Sequence, residues 1–246
     1  MIKDISKWGA TLLFLVLTSW SIGQKVMHSG EIVYERRTNL EKRFKGTDFM
    51  GGRFDDRLKE PKVDDFTLYF NDSVALFMPN YPVIDPERKW LTMRNSTLQD
   101  LSKGEVVRQI SFWGTNIFLN DSVLEREWII TGNKRTIAGY EAKQALWEAN
   151  DSTRIYAWYA ERLISSVGPE TYNGLPGVIL GLAIEDGGVV YFAKEVNALS
   201  VDDIKDEIPT GRKKDYYTEE QIRELVNDRF SDRNIGKGIL RDLFIW

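Results

Sequence analysis

The chain has 246 residues, with 33 Lys and Arg against 37 Asp and Glu and a formal charge of −4. A mild acidic balance argues for solubility and against nucleic acid as a partner. No Cys rules out a disulfide framework, and a single His rules out the several His or Cys ligands that a zinc or copper centre needs.

Residues 1–23 have the make-up of a secretory signal. Lys3 and Lys7 charge the start, residues 10–18 form an apolar run, and Ser21-Ile22-Gly23 offers small residues for cleavage before Gln24. The run is short for a membrane span, and no Cys is present to take a lipid anchor. The expectation is an exported protein, periplasmic, outer-membrane-associated or secreted, that is not an integral membrane protein once the signal is removed. The remainder, 24–246, reads as one β-rich domain, with enough residues for one sizeable core.

Residues 29–44 open that domain, and their two-residue rhythm of Ile32, Tyr34 and Arg36 against Val33, Glu35 and Arg37 predicts a strand with one solvated face. Residues 45–65 are charged and contain Gly46, Gly51, Gly52 and Pro61, which predicts a long flexible loop. Asn-Asp-Ser then occurs three times between apolar runs, ending at Ser73, Ser122 and Ser152. Three such corners predict an antiparallel meander. The same three serines are candidates for glycan attachment. Pro82 and Pro86 predict irregular chain after the first hairpin, before residues 105–112 resume a strand. In residues 155–159, Ile155, Ala157 and Tyr159 fall on one face and Tyr156 and Trp158 on the other.

Residues 167–196 are the stretch around which the chain is organised. Gly168-Pro169 and Gly174-Leu175-Pro176-Gly177 make a pinched corner that aims residues 178–184 into a sheet, with Asp186-Gly187-Gly188 as the next turn. The corner carries no base, nucleophile or metal ligand, so it is either a fold corner or the wall of a binding groove. Residues 200–246 form a helical C-terminal extension. Thr218 and Gln221 have capping-box spacing, Ile222, Leu225, Val226 and Phe230 supply an apolar stripe, and the tail from Leu243 to Trp246 is apolar enough to dock.

Gly174-Leu175-Pro176-Gly177-Val178 resembles the signature of the GLPGLI family of secreted Bacteroidota proteins. The likeness extends to Trp128-Ile129-Ile130-Thr131, Ile137-Ala138-Gly139-Tyr140, Ala157-Trp158-Tyr159 and Gly168-Pro169. It spans roughly residues 30–199. Family members often carry Cys where this chain has Ala142, so a thiol role is absent here. The resemblance implies export and a shape but no chemistry. That shape is similar to the half-barrel of periplasmic lipoprotein carriers, a mainly β fold in which one curved antiparallel sheet is covered by one or two helices. On that likeness Trp128, Tyr140, Trp147, Trp158 and Tyr159 are candidates for a ligand or partner surface.

Catalytic readings find little footing. A serine hydrolase needs a base, and His28 is the sole histidine, without a nucleophile-elbow pattern. Calcium would need alternating ligands, and Asp72, Asp121 and Asp151 read instead as turn residues. Paired carboxylates are available in Glu125, Glu127, Glu141, Glu148 and Glu161, though strand alternation accounts for most of them. The sequence therefore points to an exported, non-enzymatic envelope protein with no cofactor and no metal. It would bind a partner protein or an apolar, lipid-like ligand. A structural or assembly component without a groove is the alternative, and a glycan hydrolase the least favoured.

Overall fold

The computed structural model describes residues 26–44, 59–84, 94–112, 115–150, 153–200, 211, 216–229, 240 and 243–244. It is mainly β, an open, curled sheet of twelve strands with two helices. The first half contributes β1 (Gly30–Thr38), α1 (Leu40–Phe44), β2 (Lys62–Phe70), β3 (Val74–Ile84), β4 (Ser96–Asp100), β5 (Glu105–Phe112) and β6 (Thr115–Ser122). The second contributes β7 (Ile129–Ile137), β8 (Tyr140–Asn150), β9 (Thr153–Ala160), β10 (Val178–Ile184), β11 (Val189–Ala198), β12 (Tyr216–Tyr217) and α2 (Glu219–Arg229).

The spatial order is β12-β6-β5-β4-β3-β2-β1-β11-β10-β9-β8-β7. Two antiparallel meanders, β1 to β6 and β7 to β11, meet where β1 pairs with β11. The chain must therefore pass from β6, beside one edge, to β7 at the other. Ten strand spacings would separate them by about 48 Å in a flat sheet, yet residues 123–128 reach about 25 Å at most. The short link forces the sheet to curl.

Alternation decides which side chains turn inward. Ile32, Tyr34, Phe66, Leu68, Phe77, Ala157, Tyr159, Leu182 and Tyr191 are all buried in the main core. Phe66 stacks on Phe77 with ring centroids 5.1 Å apart, and Tyr191 meets both edge-on. Two elements fill the inside of the curl. Residues 163–177 lie over the β1, β4 and β11 side, where Tyr191 Oη donates to Glu170 Oε1 at 2.7 Å and Gln99 Nε2 to the Glu170 carbonyl at 3.1 Å. Helix α2 lies over β5 and β6, burying Ile222 and Val226 against Ile110, Ile117, Leu119 and Leu243.

Several expectations meet a different outcome. The predicted loop 45–65 ends earlier, because β2 begins at Lys62, whose ammonium pairs with Asp64 in full burial; residues 45–58 lie outside the described residues. Strand β3 runs through Pro79 and Pro82, and the sheet absorbs them by a break in register between Asp64 and Phe66. The first Asn-Asp-Ser corner joins the β2–β3 hairpin, and β8 and β9, on either side of the third, pair antiparallel. The second is no hairpin: Asn120-Asp121-Ser122 ends β6 and pairs with β5, since the chain then leaves for the far edge. Residues 1–23, Ser152 and most of 200–246 lie outside the described residues. Where the C-terminal segment is described it holds α2, which was expected, and β12, a parallel partner of β6, which was not. No helix among the described residues is long and apolar enough to cross a membrane.

Candidate functional site: the groove at the Gly-Leu-Pro-Gly corner

The corner is shaped by its glycines. Gly174 has φ +91° and Gly177 φ +146°, backbone that L side chains rarely adopt. A Cβ on Gly177 would sit 2.3 Å from the Ala160 carbonyl oxygen, and one on Gly168 2.7 Å from Ile179 Cβ. Both glycines let chain press on chain where residues 163–177 cross the end of β9 and the start of β10. Hydrogen bonds lock the crossing. Val178 N–H donates to Leu163 O at 3.1 Å, Ile179 N–H to Val167 O at 2.9 Å, and Tyr34 Oη to Ile179 O at 2.6 Å.

A groove of about 650 Å³ runs beside this corner, lined by Leu175, Pro176, Gly177, Ile164, Ser165 and Ser166, with His28 and Asp72 at its rim. That volume lies within the range of small-ligand and peptide-anchor sites. Ile164 is 42 % exposed, a branched apolar side chain presented to solvent. His28 arrives because residues 26–28 run parallel to residues 162–164, with Ile164 N–H donating to Met27 O at 2.8 Å. Asp72 arrives on the β2–β3 turn, which Asn71 Oδ1 fixes by accepting from Ser73 and Val74 N–H at 3.0 and 2.8 Å.

Serine, histidine and aspartate thus share one groove, and the geometry is not that of a relay. Ser165 Oγ donates to Asn71 O at 2.9 Å, and Ser166 Oγ to Leu175 O at 2.8 Å while accepting from Gly174 N–H at 3.0 Å. His28 Nδ1 pairs with Asp72 Oδ1 at 2.9 Å, both side chains being largely in solvent. A nucleophile needs its proton aimed at a base. Here both hydroxyls are committed to main-chain carbonyls.

Of the five candidate aromatics, the structure gathers two. Trp128 and Trp147 pack with Tyr172, centroids 6.2–6.4 Å apart, and Trp128 Nε1 donates to Asn173 O at 2.9 Å. Tyr159 is buried on the same inner face, paired across the sheet with Lys143 and Ile179. Trp158 and Tyr140 belong to the outer face, with Gln144. The set therefore serves both faces; its inner members fill the core, and Trp158 is buried as well, packed on Phe192. Ala142, at the position of the missing cysteine, is fully buried. Gly168, Pro169 and Leu175 are buried, whereas Gly174 and Pro176 reach the surface. Ser73 is half-buried and Ser122 exposed at the end of β6. Of the candidate carboxylates, Glu141, Glu148 and Glu161 form surface ion pairs with Lys134, Arg154 and Lys143.

Two charged side chains beside the corner, Glu170 buried and Arg126 half-buried, were not singled out from sequence. Glu170, with φ +55° and 2 % exposure, points into the core beneath Tyr191. Arg126 stacks 4.4 Å from the Tyr172 centroid and 5.1 Å from that of Trp147, and donates to Thr171 O and Oγ1 at 3.0 and 3.1 Å. Burial lowers the Arg126 pKa from its ordinary value, as it does that of Arg108 on β5, which Glu170 partly offsets. Glu170 sits in a turn and Arg126 in a Glu-Arg-Glu run, both patterns that ordinarily mark solvent. Their burial follows from the crossing segments.

The family model described as "Protein of unknown function (Porph_ging)", a Bacteroidota family, matches residues 122–181, about a quarter of the chain. All five sequence blocks noted above fall within it. No curated protein matches. Among solved structures, two crystal forms of PNGF-II, in P21 and C2, are similar, with TM-scores of 0.54 and 0.53 and 16 % identity. The likeness covers 80 % and 78 % of this chain but 33 % and 31 % of those chains, so this chain spans about a third of the length of the structures it resembles. What the comparisons share with this chain is a fold, around a segment similar to the Porph_ging family.

Proposed function

We propose that this is an exported, non-enzymatic binding protein of the cell envelope, of the GLPGLI kind, which takes an extended apolar segment of a partner protein into the corner groove. The observation that carries the reading is the groove itself, walled in part by Gly174 and Gly177 in backbone that L side chains rarely adopt, with Ile164 and Pro176 presented and His28 and Asp72 at one end. Pre-organised walls reduce the ordering cost of binding. A partner segment suits the site better than a lipid inside the curl, because residues 163–177 and α2 already occupy the concave face.

The test is a photo-crosslinking residue placed at Ile164 in producing cells, with Leu124, also exposed, as control. A discrete protein adduct at 164 and none at 124 is the expected result. Native mass spectrometry of the purified protein before and after mild organic extraction covers the lipid reading. A removable mass of lipid size, without an adduct at 164, would replace the partner by a lipid-like ligand. A bare mass with no adduct would remove the groove from consideration and leave an assembly component.

A further inference from the structure

The outer face of the sheet carries a row that no described element covers. Register places Ile129 opposite Leu146, Leu146 opposite Tyr156, Tyr156 opposite Ala183, and Ala183 opposite Val190. This apolar ladder crosses five strands from β7 to β11, about 19 Å. Ile129 is 55 % exposed, and the other four are half-buried. Solvent-facing rows of sheets are ordinarily polar, so a continuous apolar row marks a contact surface.

Its two flanks differ in charge. On one side Arg154 holds two carboxylates, Glu148 at 3.1 Å and Glu185 at 3.3 Å, which leaves an acidic excess. On the other, Arg135 lies 4.2 Å over the Trp158 ring and 5.5 Å from the Phe192 centroid. Among the described residues no carboxylate pairs with Arg135. Edge-to-edge association through β7 is hindered, because a bulge between Ile130 and Lys134, with Gly132 at φ +81°, breaks the outer strand.

We infer that this face binds a second copy of the chain, the two sheets meeting ladder to ladder about a two-fold axis that runs along the row. Rotation about that axis exchanges the flanks. The Glu148 and Glu185 side of one copy then faces Arg135 of the other, and the same contact recurs at the opposite rim. An axis across the row would set acid against acid. The surface is distinct from the corner groove, so the two readings stand or fall separately.

Sedimentation equilibrium of the purified protein, from about 1 to about 300 µM, tests this. A concentration-dependent dimer is expected, and Leu146→Glu should abolish it with an unchanged circular dichroism spectrum. Arg135→Glu and Glu185→Arg should each weaken it about 10-fold or more, and the two together should restore it to within about 3-fold of the original. A monomer over the whole range would overturn the inference. So would a combined variant as weak as its parents, or a Leu146→Glu protein that still dimerises.

Discussion

Gly177 is the residue on which the corner turns. Any side chain there meets the Ala160 carbonyl, which is main chain and cannot swing away, at a φ that already disfavours L residues. Gly177→Ala should therefore destabilise the protein by about 3 kcal/mol, seen as a lower midpoint in chemical denaturation. An unchanged midpoint would show that the crossing of residues 163–177 over β9 is loose. Ala138 presents the opposite case. It takes φ +48° beside Gly139 at +82° in the two-residue turn between β7 and β8, a conformation that favours Asn-Gly. Ala138→Asn should stabilise by about 1 kcal/mol and raise Tm by roughly 2–4 °C. The Gly-Leu-Pro-Gly corner was legible in the sequence because Gly and Pro act through their own backbone. Glu170 and Arg126 were not, because their burial depends on segments distant in the chain.

Helix α2 is the element where local chemistry and structure agree most closely. Thr218 Oγ1 accepts from Gln221 N–H at 3.3 Å, and Gln221 Oε1 accepts from Thr218 N–H at 2.9 Å. Of the predicted stripe, Ile222 and Val226 are buried, Leu225 is exposed, and Phe230 lies outside the described residues. Thr218→Ala removes one of the two reciprocal bonds and should cost about 1 kcal/mol. Faster amide exchange in 219–226, with the β1–β2 core unaffected, is the expected signature. Uniform acceleration across the sheet would mean instead that α2 and the sheet unfold as one unit. Strand elements were less legible. Pro82 read as a breaker, yet the register break between Asp64 and Phe66 lets β3 pass through it, while Pro86 lies outside the described residues. The second Asn-Asp-Ser read as a hairpin, yet it leads to a crossing link. Turn chemistry says that a chain can reverse, and pairing partners decide whether it does.

At the scale of the molecule, the filled interior has a consequence in alkali. Burial raises the pKa values of Tyr34, Tyr172 and Tyr191 above their ordinary value of 10.0. Their contribution to stability is complete below that pH and is lost as pH climbs from there towards the folded-state values. Each phenol that ionises only on unfolding removes about 1.4 kcal/mol per pH unit. Denaturation midpoints should hold steady below pH 10 and fall steeply above it, with a late group of tyrosines in the ultraviolet titration that appears only with unfolding. Phenols that all titrate together near the ordinary value, with the fold intact, would mean that the interior admits water.

The sequence by itself determined what depends on neighbours along the chain. It specified a mainly β fold, most of its strands, the pinched Gly-Pro corner, the capped C-terminal helix and the face that Tyr156 and Trp158 share, opposite Ile155, Ala157 and Tyr159. Period-two alternation, backbone restriction and capping are local physics. Only the tertiary structure decided that six residues draw the two edges of the sheet together, that the corner fills the curl instead of rimming an open cavity, and that His28 and Asp72 stand beside Pro176. It also set five separate strands in the register that makes an apolar row. Those outcomes rest on contacts between residues tens of positions apart, where pairing register and burial, not propensity, hold the free energy.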